Sequence, residues 1–253
     1  MFDDGLKARM AERPVIGTFL KLPRPEVVEV LALTGLDFVI CDTEHGQVSE
    51  TDAHTVIQAG RAAGIAVTVR VPTLDRGQVN RLLEAGAAGI QLSGVTSRAS
   101  AVELRELTSY PPAGSRSLST AQPAARYGTV PLADYLDGSN TATLRIGQLE
   151  SASYADPLED MIAALDVAFI GVLDLSVDLG RAGDTAAPEV RAVISRIEAA
   201  AGATGTRLGT FAATPQDAKA ARDAGYSYIA LSSDLAALTS AARQQFAGLV
   251  GSG

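Results

Sequence analysis

The chain has 253 residues, 47% of them hydrophobic and 20% charged, with a formal net charge of -8 at pH 7. That composition suits a globular protein with enough apolar material for a sizeable core. It lacks the clustered Lys and Arg that a nucleic-acid or anionic-membrane surface requires, so a small-molecule substrate is expected.

The opening segment MFDDGLKARMAERP is charged from its first residues, unlike a signal peptide, and no uncharged apolar run approaches the ~18 residues of a membrane span. A cytoplasmic protein is expected. The lone cysteine, Cys41, cannot form an internal disulfide, and its place within an apolar run reads as a small buried hydrophobe rather than a nucleophile.

Apolar runs of strand length recur at Val15–Leu20, Phe38–Cys41, Ala66–Val71, Gly89–Leu92, Thr143–Leu149, Val167–Ile170, Arg207–Phe211 and Tyr228–Leu231. Between them, apolar residues at i, i+3 and i+4 predict helices over Glu26–Leu33, Thr51–Ala62, Gly77–Leu83, Arg98–Leu107, Leu158–Leu165, Glu189–Ala201, Pro215–Ala224 and Leu235–Leu249. The boundaries are punctuated. Ser49 precedes a helix with Asp52 in its first turn, Thr214-Pro215 reads as an N-cap with proline at the first helical position, and Gly35, Gly64, Gly86 and Gly225 each follow a helix. The phrases LTGLDFV, EAGAAGI and DAGYSYI repeat one event, a helix ending on glycine before a short buried strand.

Strict alternation of helices with near-continuous apolar strands calls for an all-parallel sheet, and eight such units make a closed (β/α)8 barrel, with an open doubly wound sheet as the alternative. No linker divides the chain, which reads as one domain over 1–253. The long irregular piece Ser109–Val130, before a short helix near Pro131–Leu136, lies on the αβ side and is expected to reach round the barrel or to touch a neighbouring subunit.

In such a barrel, chemistry gathers at the carboxyl ends of the strands. Those ends carry Lys21; Asp42, Glu44 and His45; Arg70; Gln91 and Ser93; Gln148 and Glu150; Asp174; and Phe211. Glu150 and Asp174 offer hard oxygen ligands for a divalent cation, Mg²⁺, Mn²⁺ or Co²⁺ rather than zinc, with N-capping or ion pairing as the plainer reading. Arg70 could neutralise a carboxylate or a developing enolate oxygen, or simply pair with Asp42 or Glu44. His45 could be a general base oriented by Asp42. His54, inside a helix, has no such setting. No G-x-G-x-x-G or P-loop follows a strand, which sets phosphate-cradling enzymes aside.

These residues resemble the HpcH/HpaI family of class II, metal-dependent pyruvate aldolases along nearly the whole chain. The resemblance rests on GTFLKLPRPEVVEVLALTGLDFVICDTEHG, VTVRVP, YPPAGSRS, RYG, GQLES and FIGVLDLSVDLG, in that order. It implies a pyruvate-type (β/α)8 barrel in a hexamer or trimer with helices exchanged between subunits. It also implies a divalent metal held by Glu150 and Asp174, and a 2-oxo acid contacted by Arg70, Gln148, Val172, Leu173 and Asp174. Arg70 would stabilise the enolate, and His45, oriented by Asp42, would move the proton.

Three positions depart from the usual pattern. Val172-Leu173 stands where the family has Pro-Ala, Ser93-Gly94-Val95 where a Pro-x-Val segment is usual, and Arg116-Ser117 where Arg-Gly is familiar. Cleavage of a 4-hydroxy-2-oxo acid to a 2-oxo acid and an aldehyde is the expected reaction. Decarboxylation or biosynthetic condensation on the same enolate site, or a barrel that only binds a metabolite, are the alternatives.

Overall fold

The computed structural model describes residues 5–247 and 249. The first four residues, and Gly248 within the predicted last helix, lie outside the described residues. The strands are β1 Val15–Leu20, β2 Phe38–Asp42, β3 Ala66–Val71, β4 Gly89–Leu92, β5 Leu144–Leu149, β6 Val167–Ile170, β7 Arg207–Ala212 and β8 Tyr228–Ser233. Neighbours in sequence pair in parallel, and β8 returns to β1, so the sheet is the closed barrel and not the open alternative.

The helices are α1 Gly5–Glu12, α2 Pro25–Ala32, α3 Glu50–Ala63, α4 Arg76–Ala85, α5 Arg98–Thr108, α6 Leu132–Ala142, α7 Leu158–Ile162, α8 Val172–Asp178, α9 Pro188–Thr204, α10 Pro215–Asp223 and α11 Asp234–Phe246. The sequence reading did not contain α1 or α8. The first buries only Leu6 and Met10 among charged residues, and the second spans 7 residues, too few to show a helical period. The short helix read near Pro131–Leu136 runs on to Ala142.

Local signals explain the ends. Ser49 and Asp52 form a reciprocal capping box on α3, and Thr214 and Asp217 do the same on α10, satisfying amide groups that each helix would otherwise leave unpaired. The loop after α5 has a small core of its own in Tyr110, Ala125 and Tyr135, the two tyrosine hydroxyls lying 3.0 Å apart.

Strand side chains alternate between two cores. Val15, Phe19, Phe38, Ile40, Leu144, Ile146, Val167, Phe169, Tyr228 and Ala230 fill the barrel lumen, with Leu6 and Met10 of α1 packed against them. Phe38 stacks on Tyr228 with centroids 4.2 Å apart, and a Cβ on Gly17 would lie 2.4 Å from the Phe38 ring, so only glycine lets that ring cross the lumen. The outward set, including Leu20, Val39, Cys41, Val69 and Ile90, packs against the helices. Burial pushes the Cys41 thiol up to about 12, consistent with an inert small hydrophobe. No helix among the described residues is long and apolar enough to cross a membrane.

Candidate active site

The period of two that fills the lumen also places the charges. Stepping in twos from the lumen residues Phe19, Ile40 and Ile146 leads to Lys21, Asp42 and Gln148, and from Gln148 to Glu150 just past the end of β5. Thr68, whose hydroxyl lies 2.9 Å from that of Tyr228, leads in the same way to Arg70.

One half of the site is built on Asp42. Arg70 Nε donates to Asp42 Oδ1 at 2.9 Å and Nη2 to Oδ2 at 2.7 Å, while Lys21 Nζ donates to Oδ2 at 2.8 Å. The backbone amides of Glu44 and His45 also donate to Oδ1, each at 3.2 Å. Burial alone would raise the Asp42 pKa, but the hydrogen bonds from Arg70 and Lys21 outweigh it and hold the carboxyl well below the usual range. The Arg70 guanidinium also sits 4.7 Å from the Phe19 ring centroid and 3.4 Å from Glu44 Oε2.

The ion pair offered as the plainer reading of Arg70 is therefore present. The expected contact between Asp42 and the His45 ring is not. Both Asp42 oxygens are occupied, so Asp42 positions His45 through its backbone N–H, and the exposed imidazole has Nε2 3.8 Å from Glu44 Oε2.

The other half is a relay of amides ending on a carboxylate. Gln91 Nε2 donates to Gln148 Oε1 at 2.8 Å, Gln148 Nε2 donates to Glu150 Oε2, and the Gly94 amide donates to Glu150 Oε1 at 2.9 Å. Burial raises the Glu150 pKa; the Gln148 bond opposes this, and the nearby Asp174 charge adds to it. Asp174 occupies the first turn of α8.

A cavity of about 560 Å³ opens between the two halves, lined by Lys21, Arg70, Gln148, Val172, Leu173 and Asp174 together with Phe19, Phe169 and Phe211. Asp42 and Glu150 stand behind Arg70 and Gln148, and His45 lies on the exposed edge. Leu173 is 60% exposed, so the Val172-Leu173 pair adds apolar surface to the rim.

Lys21, Gln91 and Ser93 belong to this constellation, although the sequence assigned them no role, and Glu44 joins it through the contact with Arg70 that the sequence allowed. Ser93 Oγ donates to Glu44 Oε2 at 2.5 Å, which ties the end of β4 to the Arg70 cluster. The lumen parity of Lys21 and Gln91 was the available signal.

The donors fit a hard divalent cation. Glu150 and Asp174 lie close enough for one charge to raise the other's pKa, and neither forms an ion pair among the described residues. A cation between them would relieve the burial that penalises ionised Glu150. Among the described residues no group of three or more His, Cys, Asp or Glu side chains could hold a metal, so the remaining positions would fall to water and substrate oxygens.

A parallel eightfold barrel with charged groups gathered at its carboxyl mouth defines an enzyme of the (β/α)8 class. Residues 15–241 match the family described as HpcH/HpaI aldolase/citrate lyase, and the chain belongs to that family of carbon–carbon lyases. It is 34% identical over 252 residues to a hydroxypyruvate/pyruvate aldolase of Paraburkholderia phytofirmans, covering 96% of each chain. It is 33% identical over 247 residues to a 5-keto-4-deoxy-D-glucarate aldolase of Citrobacter koseri, covering 96% of this chain and 95% of the other. A crystal structure of an HpcH/HpaI aldolase/citrate lyase family protein from Burkholderia cenocepacia superposes with a TM-score of 0.88 at 32% identity, covering 96% of this chain and 98% of that one.

Proposed function

We propose that this protein is a divalent-metal-dependent aldolase that reversibly cleaves a 4-hydroxy-2-oxo acid to pyruvate, or a closely related 2-oxo acid, and an aldehyde. The observation that carries this reading is one cavity lined by a fixed guanidinium and by Asp174, with Glu150 held behind Gln148 in its wall and neither carboxylate ion-paired among the described residues. Support for the donor comes from relatives named as hydroxypyruvate/pyruvate and 5-keto-4-deoxy-D-glucarate aldolases.

A Mg²⁺, Mn²⁺ or Co²⁺ ion held by Glu150 and Asp174 supplies Lewis-acid polarisation of the 2-oxo group. The remaining work belongs to the chain. Asp42 and the Phe19 ring fix Arg70 so that its guanidinium faces the cavity, where it stabilises the negative charge that develops on the oxo oxygen when the 4-hydroxyl gives up its proton and the C3–C4 bond breaks, or, in the reverse direction, when a C3 proton leaves the 2-oxo acid. That geometry is preorganised, so little reorganisation is needed as charge appears. The amides of Val172, Leu173 and Asp174, at the start of α8, lack intrahelical acceptors and receive the substrate carboxylate. Gln148 contacts the donor and orients Glu150. His45 at the rim moves the proton between C3 and solvent, with Glu44 beside its ring.

The whole chain acts as one domain over 1–253, in the cytoplasm. Assembly into a hexamer or trimer with exchanged helices is supported by apolar residues left exposed on α8 and α11, among them Val177, Leu238 and Phe246.

The test is exchange of pyruvate methyl protons with deuterium, followed by NMR for wild type and His45→Ala with Mg²⁺, Mn²⁺ or chelator. Exchange that disappears with chelator and falls steeply in the variant is expected. Metal binding without any exchange would overturn the enolate reading and return the barrel to a binding role or another 2-oxo acid.

A further inference from the structure

A second cavity, of about 340 Å³, lies at the opposite end of the barrel, where Ala66 and Ala88 begin or precede strands β3 and β4. From Val67 to Arg70 is three strand residues, roughly 10 Å, so this cavity is separate from the mouth. Its lining includes Arg61, Arg116 and Arg126 with Ser139 and Thr143, and among the described residues no Asp or Glu. In a chain with a net charge of -8, Arg61 and Arg116 therefore face one small cavity to which the described residues contribute no carboxylate.

Arg116 makes the point most clearly. It is 5% exposed, its Nε donates to Asn80 Oδ1 at 3.3 Å, and its guanidinium lies 4.5 Å from the Tyr110 ring centroid. Its Nη2 has no hydrogen-bond partner among the described residues. Burying a charged donor without an acceptor is costly, and a bound anion removes the cost. Arg61 is held by two carbonyls at long range, Ala85 O and Pro123 O, each at 3.4 Å. The carbonyl ends of α3 and α4 also reach this region through the caps at Gly64 and Gly86, and they oppose an anion. Arg61 offsets the end of α4, whereas Arg116, beyond its Nε bond to Asn80, leaves Nη2 without an acceptor among the described residues.

We propose that this cavity is a binding site for a small dianionic metabolite, phosphorylated or dicarboxylic, held by Arg61 and Arg116 with hydroxyls from Ser139 and Thr143. Its chemistry is independent of the reaction at the mouth. Guanidinium forks suit both phosphate and carboxylate oxygens, and the volume matches a ligand of a few carbons.

Calorimetric titration of the whole protein, freed of metal by chelator, with inorganic phosphate and with succinate in parallel tests this. One equivalent is expected to bind with a Kd of about 1 mM or tighter, and the stronger probe identifies the class. Binding should weaken at least about tenfold in Arg61→Glu, an exposed position that tolerates the change, and in Arg116→Met if that variant folds. It should persist in Arg70→Met. The proposal is overturned if neither probe binds more tightly than about 10 mM, or if binding survives Arg61→Glu and is lost in Arg70→Met, which would place the anion at the mouth.

Discussion

Replacing Gly171 by alanine tests the position of Glu150 directly. Gly171 caps α8 with φ -85 and ψ 78, so its negative φ brings no left-handed penalty, and the effect of a methyl group is steric. That carbon would lie 2.6 Å from Glu150 Oε2, 2.9 Å from Glu150 Cβ and 3.3 Å from Gln148 Nε2. Ordinary contact starts at 3.4 Å, so the oxygen must retreat by 3.4 minus 2.6, or 0.8 Å, and the Cβ by 0.5 Å. The carboxylate can swing, but the Cβ moves only with the end of β5. Such overpacking costs about 1–3 kcal/mol, or roughly 2–12 °C in Tm for a chain of this size. A ligand displaced beyond about 0.5 Å loses its productive geometry, and a fall of about 10–100-fold in metal affinity is expected, as for lost supporting contacts. Scanning calorimetry and Mn²⁺ titration of Gly171→Ala measure both. A variant that melts lower yet binds Mn²⁺ as tightly as wild type would remove Glu150 from the metal site. Unchanged melting and binding would refute the packing itself.

Arg70→Lys keeps a cation but cannot reproduce the two-pronged bond to Asp42; methyl-proton exchange should fall about 100-fold or more, and near-normal exchange would show that charge alone suffices. Asp42 has a depressed pKa in the folded state, so its stabilising contribution is complete above the unfolded carboxyl range and is lost as the pH falls through that range towards the folded value. The stability gap between wild type and Asp42→Asn in urea titrations should therefore be widest near neutral pH and close in acid; a gap that is constant with pH contradicts the assignment. Lys21→Met removes one of the two cationic partners and should shift this acid transition of the wild-type residue upwards. Tyr228→Phe removes the 2.9 Å bond to the Thr68 hydroxyl, which keeps only its 3.4 Å bond to the Val39 carbonyl, and should cost about 1 kcal/mol in denaturant unfolding without altering exchange; slowed exchange would mean that the lumen floor is coupled to the mouth.

Much of the candidate site could be read in the chain because a strand alternates strictly. Phe38, Ile40 and Asp42 share a face by parity alone, and so do Ile146, Gln148 and Glu150, so recognising the strands placed these acids in the lumen. Lys21 and Gln91 fall on the same face, but a strand-end position by itself gives neither a chemical role, and their parts show only in the bonds to Asp42 and Gln148.

The sequence by itself determined the eight strands, the capped helices between them and the list of groups at the strand ends, since these depend on local periodicity and on capping within a few residues. Only the tertiary structure decided who pairs with whom. Asp42 has two oxygens and a choice among Arg70, Lys21 and the His45 ring; the parallel pairing of β2 with β1 and β3 brings Lys21 and Arg70 to the carboxylate from either side, and the ring is left at the rim. The arginines around the lower cavity come from α3, the loop after α5 and the turn Pro123–Gly128. No local pattern links those segments, because contacts between distant segments depend on the shape of the packed whole rather than on the spacing of residues along the chain.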